Sequence, residues 1–328
     1  MTKIISVTGD SHTWGQGVGG EYSFNPGVCG GDLRMIPFIS PAYVNLLRHA
    51  VNLYTGSSAS EYYGEKLAEL CEEAPDDFAY FSSKPLELRD QFSCLRIFFR
   101  AGTVDSAVQV YIDDIPVETV YLPAEDQALN RCIKAHFLRA EDSMHTLKLV
   151  PQDGAKIGIH RIECYSGEYA VINCGVGSCP ARRYADQWYD KYVSPLEPWM
   201  IIYEGATIND WLTRETPAEY ADALRYILAR MRGNTERILW NTVAPIGGEQ
   251  KTSEDAEPYD AYIDAMRRTA EEENIPLVDT NRVMHDAMKN VPEAWHARLL
   301  FHDDWHPNGT GHYLYANSIF EELKKYLR

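Results

Sequence analysis

Three short segments concentrate residues able to do acid–base and nucleophilic chemistry. They are Gly9-Asp10-Ser11, Thr207-Ile208-Asn209-Asp210-Trp211 and His302-Asp303-Asp304-Trp305-His306-Pro307-Asn308. A serine hydroxyl attacks poorly near neutral pH unless an adjacent imidazole takes its proton. His306 offers an imidazole, which titrates near the working pH and can return that proton to a leaving group. Asp303 stands three residues before His306, and in a turn that spacing lets its carboxylate accept the other ring N–H and fix the tautomer. The side-chain amide of Asn209 can donate to a developing oxyanion, beside backbone N–H groups.

Each segment also has a plainer reading. A serine after Gly-Asp commonly serves as a turn residue or helix cap. Asn209-Asp210 suits a turn and an N-cap. The plain reading of the segment from His302 to His306 is a polar surface loop, and a metal site built on His302, Asp304 and His306 is a third reading. Zinc usually asks for three or four well-spaced protein ligands, and neither an HExxH motif nor a distant Cys/His pair accompanies these residues. The nucleophilic reading gains weight because its three roles occur in order along the chain.

The elements that position them divide the chain into three parts. Residues 1 to about 75 hold a strand at Lys3–Thr8, a Gly-rich loop, and helices at Tyr43–Leu53 and Glu61–Glu72. From 76 to 167 the helical period disappears. Runs rich in β-branched and aromatic residues replace it: Leu95–Phe99, Ala107–Ile112, Glu118–Leu122, Cys132–Phe137, Thr146–Val150 and Ile157–Tyr165. Asp113-Asp114, Asp153-Gly154 and Ser166-Gly167 punctuate them as turns, so an antiparallel β-sandwich is expected. From 168 to 328 strands and helices alternate. The strands fall at Ala170–Asn173, Trp199–Tyr203, Arg237–Val243 and Leu277–Val278. The helices fall at Ala181–Val193, Pro217–Arg232, Pro258–Glu273, Arg282–Lys289 and Thr310–Leu327. That alternation implies a parallel sheet, which Lys3–Thr8 would join. The three segments then sit at the C-terminal edge of the sheet, where open α/β sheets place their ligands.

Gly15, Gly17 and Gly20 spell the dinucleotide fingerprint after a strand. The fingerprint needs a helix to open in the loop, and EYSFNPGVCGG follows instead, with Pro26 and three more glycines. A tight, exposed loop is expected there rather than a nucleotide site.

Composition narrows the function classes. Among 328 residues, 31 are Lys or Arg and 48 are Asp or Glu, a formal net charge of −17. Nucleic acid and anionic membrane both favour a basic surface, so neither is expected as a partner. The segment Tyr169–Ala181 lacks charges but is too short to span a bilayer, and Ile4–Val7 is too short for a signal peptide. Seven scattered cysteines without a CxxC pair fit a reducing cytoplasm.

The segments GDSHTWGQG at 9–17, EGATINDW at 204–211 and DDWHPNGTGH at 303–312 resemble three of the four blocks of the SGNH, or GDSL-type, hydrolase superfamily. The resemblance implies Ser11 as nucleophile, His306 as base, Asp303 as its orienting acid and Asn209 as an oxyanion donor. It places the remaining oxyanion donor in the Val171–Cys179 segment, on Ser178 without a gap or on Gly177 with a shift of one residue. It further implies a flavodoxin-like three-layer α/β/α sandwich, here formed by 1–75 and 168–328. The β-rich insertion of 76–167 is similar to the carbohydrate-binding-like sandwich beside some carbohydrate esterases, although a structural or dimerisation role fits equally. Trp14, Trp211 and Trp305 lie near the proposed site, where they could stack on a sugar or wall an acyl pocket, core packing being the ordinary alternative. His12 and His302 also sit beside candidate residues, where either could line the pocket, with no catalytic role assigned.

These readings converge on a serine esterase that cleaves short acyl esters, O-acetyl above all, on a carbohydrate, with no cofactor and no metal. An acyltransferase sharing the acyl-enzyme and a glycan-binding protein with a vestigial hydrolase core are the alternatives. A homo-oligomer is left open.

Overall fold

The structure, a computed structural model, describes residues 1–18, 37–75, 78–100, 104–124, 133–246 and 258–327. Gly20, the expected loop of 21–31, and Cys132 lie outside the described residues. The chain opens with strand β1 (Lys3–Gly9), a one-turn helix α1 (Ser11–Trp14) and helix α2 (Tyr43–Thr55). It continues through β2 (Ser58–Tyr62), α3 (Glu65–Ala68), β3 (Ala79–Phe81), β4 (Leu86–Arg100), β5 (Ser106–Ile112), β6 (Ile115–Leu122), β7 (Ile133–Pro151) and β8 (Ile157–Ser166). Strand β9 (Tyr169–Gly175), helices α4 (Ala181–Gln187) and α5 (Tyr189–Tyr192), and strand β10 (Met200–Glu204) follow. Next come α6 (Thr207–Leu212), α7 (Pro217–Arg232), β11 (Ile238–Asn241), α8 (Tyr259–Glu272), β12 (Leu277–Val278), α9 (Thr280–Met288), α10 (Glu293–Leu300) and α11 (Gly309–Leu323).

The chain divides into two compact units. One comprises Val171–Arg328 with the N-terminal strand and first two helices; the other is centred on Gly56–Ala170. The sheet of the first unit runs β12-β11-β10-β1-β9, and β1–β10, β10–β11 and β11–β12 all pair in parallel. Its strands are apolar on both faces, as strands covered on both sides must be: β10, Met200–Glu204, is buried at every position. The helices start where local chemistry caps them. Thr216 and Glu219 form a reciprocal capping box at α7, with Pro217 in its first turn. At α11 the Asn308 side chain accepts from the N–H groups of Thr310 and Gly311, so the helix begins directly after His306-Pro307.

The second unit holds a seven-stranded antiparallel sheet ordered β2-β8-β4-β7-β5-β6, with β3 also paired to β8. Phe81, Leu86, Phe92, Leu95, Ile97 and Leu149 belong to its buried core. Asp113 and Asp114, at φ +53° and +61°, close the two-residue hairpin between β5 and β6, where both central residues must be left-handed.

The expected helix at Glu61–Glu72 is replaced by β2 and the single turn α3. Gly64, at φ +56°, breaks the helical run between them, and residues 58–62 pair with β8. The runs Cys132–Phe137 and Thr146–Val150 lie on one long strand, β7, beside β4. Helices α6 and α10 were not expected. Among the described residues no helix is long and apolar enough to cross a membrane.

Candidate active site

Ser11 opens α1 directly after β1. Asp10 caps this helix, its Oδ1 accepting the His12 N–H at 2.9 Å. The turn is held from the side by Asn173 on β9, whose amide donates to the Thr13 carbonyl at 3.0 Å. Gly175 permits that approach: a Cβ there would stand 2.6 Å from the Thr13 carbonyl carbon and against the Trp14 nitrogen. Among the described residues, the two glycines of the expected exposed loop are therefore enclosed. Gly15 and Gly17 are buried, the latter against the Pro307 backbone and the His306 Cβ.

Ser11 Oγ lies 3.0 Å from His306 Nε2, and His306 Nδ1 lies 2.8 Å from Asp303 Oδ2. The carboxylate can only accept, so Nδ1 carries the hydrogen and the Nε2 lone pair faces the serine hydroxyl. Asp303 also accepts the backbone N–H of Trp305 at 2.8 Å and of His306 at 2.7 Å. Burial would raise Asp303, but the His306 ring and these two N–H groups hold it well below the usual carboxylate range. For His306, burial pushes the pKa down. Asp303 pulls it up and the neighbouring His12 pushes it down, so it rests below the ordinary value. A serine, a neutral imidazole and an ionised aspartate thus stand in hydrogen-bonded series, an arrangement able to generate a nucleophile.

Asn209, on α6, donates from Nδ2 to Asp10 Oδ2 at 2.6 Å. The next residue, Asp210, is buried and accepts the Ala181 N–H at 3.1 Å, which ties the start of α4 to α6. Gly177 and Ser178 lie in the turn between β9 and α4, and Val176 N–H donates to the Gly9 carbonyl at 2.9 Å. Ser178 adopts φ +54°, a left-handed conformation that favours glycine.

Trp14 and Trp211 are buried, while Trp305 is half-buried. Trp211 packs against Trp305 at 5.7 Å and edge-on to Tyr259 at 5.8 Å. His302 and Asp304 are exposed, and the residue set that could hold a metal ion among the described residues is instead Asp10, His12 and Glu204. The sequence alone assigns no chemistry to His12 or to Glu204. The available signal was Glu204 itself, an acid ending an otherwise apolar buried strand.

The second unit contains another serine–histidine–aspartate set. Ser143 Oγ lies 3.0 Å from His145 Nε2, and His145 Nδ1 lies 2.7 Å from Asp113. Here the Glu141 carbonyl stands 2.7 Å from the same Nε2. A carbonyl only accepts, so Nε2 carries a hydrogen and has no lone pair for the serine proton. Local chemistry separates the two sets where residue types do not.

The GDSL-like lipase/acylhydrolase family model matches residues 160–314. No curated protein matches the chain. Among solved structures, a peptidoglycan O-acetylesterase superposes with a TM-score of 0.55 at 13% identity, covering 100% of this chain and 92% of that one. An acetylxylan esterase from Geobacillus stearothermophilus gives 0.40 at 20% identity, over 48% and 73% of the two chains. A family two carbohydrate esterase from Clostridium thermocellum gives 0.37 at 11% identity, over 82% and 99%.

Proposed function

We propose that the chain is a GDSL-type carboxylic ester hydrolase, as the family model over residues 160–314 supports, and that it removes short acyl groups, acetyl above all, from a carbohydrate. The observation that carries the mechanism is the series Ser11 Oγ, His306 Nε2 and Nδ1, Asp303, at 3.0 and 2.8 Å. Ser11 Oγ attacks the ester carbonyl while His306 Nε2 takes its proton. The resulting oxyanion is met by the Ser11 N–H, an N–H of the Gly177-Ser178 turn and the Asn209 amide. His306 then gives the proton to the departing alcohol and leaves an acyl-enzyme. Water, deprotonated by His306, attacks that ester; the acid leaves and Ser11 recovers its hydrogen. Asp303 stabilises the imidazolium formed in each half.

The O-acetyl preference is supported by the fold shared with a peptidoglycan O-acetylesterase. The paired Trp211 and Trp305 rings would suit a sugar face. The same proposal reads the parallel-sheet unit as three flavodoxin-like layers and residues 76–167 as a jelly-roll-like sandwich inserted into it, offering a second surface for a glycan.

Hydrolysis of p-nitrophenyl acetate and butyrate, by the wild type and Ser11→Ala, with and without EDTA, tests the reading. Faster acetate turnover that survives EDTA and disappears in Ser11→Ala is expected. Equal rates for the two proteins would overturn it. Acetate release from O-acetylated xylan and O-acetylated peptidoglycan then identifies the alcohol.

A further inference from the structure

The serine mechanism leaves the buried His12 ring without a task. His12, the residue after the nucleophile, is fully buried. Its Nε2 lies 2.8 Å from the Trp305 carbonyl and its Nδ1 3.0 Å from Asp10 Oδ1, with Glu204 Oε1 3.7 Å away. A carbonyl and a carboxylate only accept, so both ring nitrogens carry hydrogen and the ring is an imidazolium. Burial acts against that charge, but Asp10, Glu204 and the Trp305 carbonyl carry the pKa up to about 9. His312, equally buried, behaves oppositely. Its Nδ1 accepts the Tyr43 N–H at 3.3 Å and its Nε2 donates to the Gln16 carbonyl at 3.0 Å, so it is neutral, and burial pushes it down to about 3.

The two partners of His12 lead to the two ends of the reaction centre. An enclosed carboxylate tends to take up a proton. Burial acts on Asp10 that way, and the His12 charge outweighs it and holds Asp10 ionised. The ionised Asp10 in turn accepts from Asn209 and fixes that amide. The Trp305 carbonyl belongs to the peptide unit immediately before His306, so the same ring anchors the loop that carries the base.

We propose that His12 is a positioning residue: a buried imidazolium that aligns the Asn209 amide through Asp10 and the His306 loop through the Trp305 carbonyl. The proposal rests on the serine-esterase reading. The groups facing His12 are Asp10, Glu204 on β10, His306 with its ring centroid at 5.4 Å, and Tyr315 and His312 on α11. Asp10, His12 and Glu204 also present ligand atoms within 4.8 Å of one another. An ion there would need a lone pair on His12 Nδ1, which an imidazolium does not have.

The test compares wild type, Ser11→Ala, His12→Gln, Asp10→Asn and the His12→Gln/Asp10→Asn double variant in ester hydrolysis from pH 5 to 10. His12→Gln is expected to lose about 10- to 100-fold in kcat, with KM within about twofold, since a misaligned oxyanion donor costs less than a deleted one at 10²–10³. The wild-type alkaline decline near pH 9 should vanish with it. The double variant should lose little more than Asp10→Asn alone, because the two act in one chain. Nitrogen-15 NMR of histidine-labelled wild type at pH 7.5 should show a doubly protonated ring assigned to His12 by its absence in His12→Gln. That measurement stands even if a variant fails to fold, with the assignment then taken from backbone connectivity. A neutral His12 ring, a wild-type kcat and pH profile in His12→Gln, or a stoichiometric bound metal lost in His12→Gln would each overturn the proposal. If the first two occur while Ser11→Ala is inactive, the esterase reading survives. If Ser11→Ala is fully active, that reading falls first and takes this one with it.

Discussion

Asn209 Nδ2 lies 2.6 Å from Asp10 Oδ2, so one amide hydrogen of Asn209 is committed to a buried carboxylate. An asparagine amide has two hydrogens. Asp10 orients the group with one and leaves the other for the oxyanion of the proposed mechanism, so that the proposed donor is held rigid before substrate arrives. Such preorganised donors supply much of the stabilisation in acyl transfer.

Asn209→Ala removes the donor and leaves Asp10 without that partner. It should lower kcat by roughly 10²–10³ with little change in KM, the loss expected for an oxyanion donor. Steady-state kinetics on p-nitrophenyl acetate decide it. A loss confined to KM would mean that Asn209 binds the ground state instead.

The pH profile carries a definite sign. In the proposed mechanism His306 must be neutral to act as base, and burial, the largest cause, holds its pKa below the ordinary 6.5. kcat/KM should therefore be level through neutral pH and fall only below pH 6.5. Stability follows His12 the other way. Its pKa is raised from 6.5 to about 9, so its contribution is fully present below about pH 6.5 and is lost as pH rises through 9. Thermal melting measured from pH 6 to 10 should show that decline, and His12→Gln should flatten it.

The parts of this protein that were legible in the sequence are those fixed by local chemistry. Strands such as Met200–Glu204 are apolar up to their last residue because both faces are covered. Asp303 and His306 could be paired because three residues of turn bring them together. Other features depend on partners remote in sequence. Residues 61–72 have helical spacing, yet pairing with β8 draws the first of them into a strand. His12 becomes informative only once Glu204 and the Trp305 carbonyl are beside it. The second serine–histidine–aspartate set shows the converse, since residue types alone do not reveal the Glu141 carbonyl that disables it.

Ser178 pays a backbone cost at φ +54°. A left-handed non-glycine residue loses roughly 1–2 kcal/mol, and glycine would return about 0.5–1 kcal/mol of that to the unfolded chain. Ser178→Gly should thus stabilise the protein by roughly 0.5 kcal/mol, read as a higher denaturant midpoint at unchanged slope. The backbone N–H is retained, so kcat should stay within about twofold. A large loss of kcat would show that the serine side chain, and not its amide, matters at this turn.

Gly17 offers the sharpest separation between folding and alignment. It sits at φ +99°, and a Cβ there would lie 2.9 Å from His306 Cβ and against the Pro307 carbonyl oxygen. Gly56 has a similar φ of +75° with no atom within 4 Å of its would-be Cβ. Both alanine variants incur the left-handed strain of about 1–2 kcal/mol, but only Gly17→Ala must also displace the loop that carries His306. A displacement of about 1 Å at a reacting group can cost 10²-fold. Gly17→Ala should therefore lose at least about 10-fold in kcat/KM at a temperature where it is still folded, while Gly56→Ala loses stability alone. Equal activity in the two variants, each checked by circular dichroism, would mean that the His306 loop does not depend on its contact with Gly17.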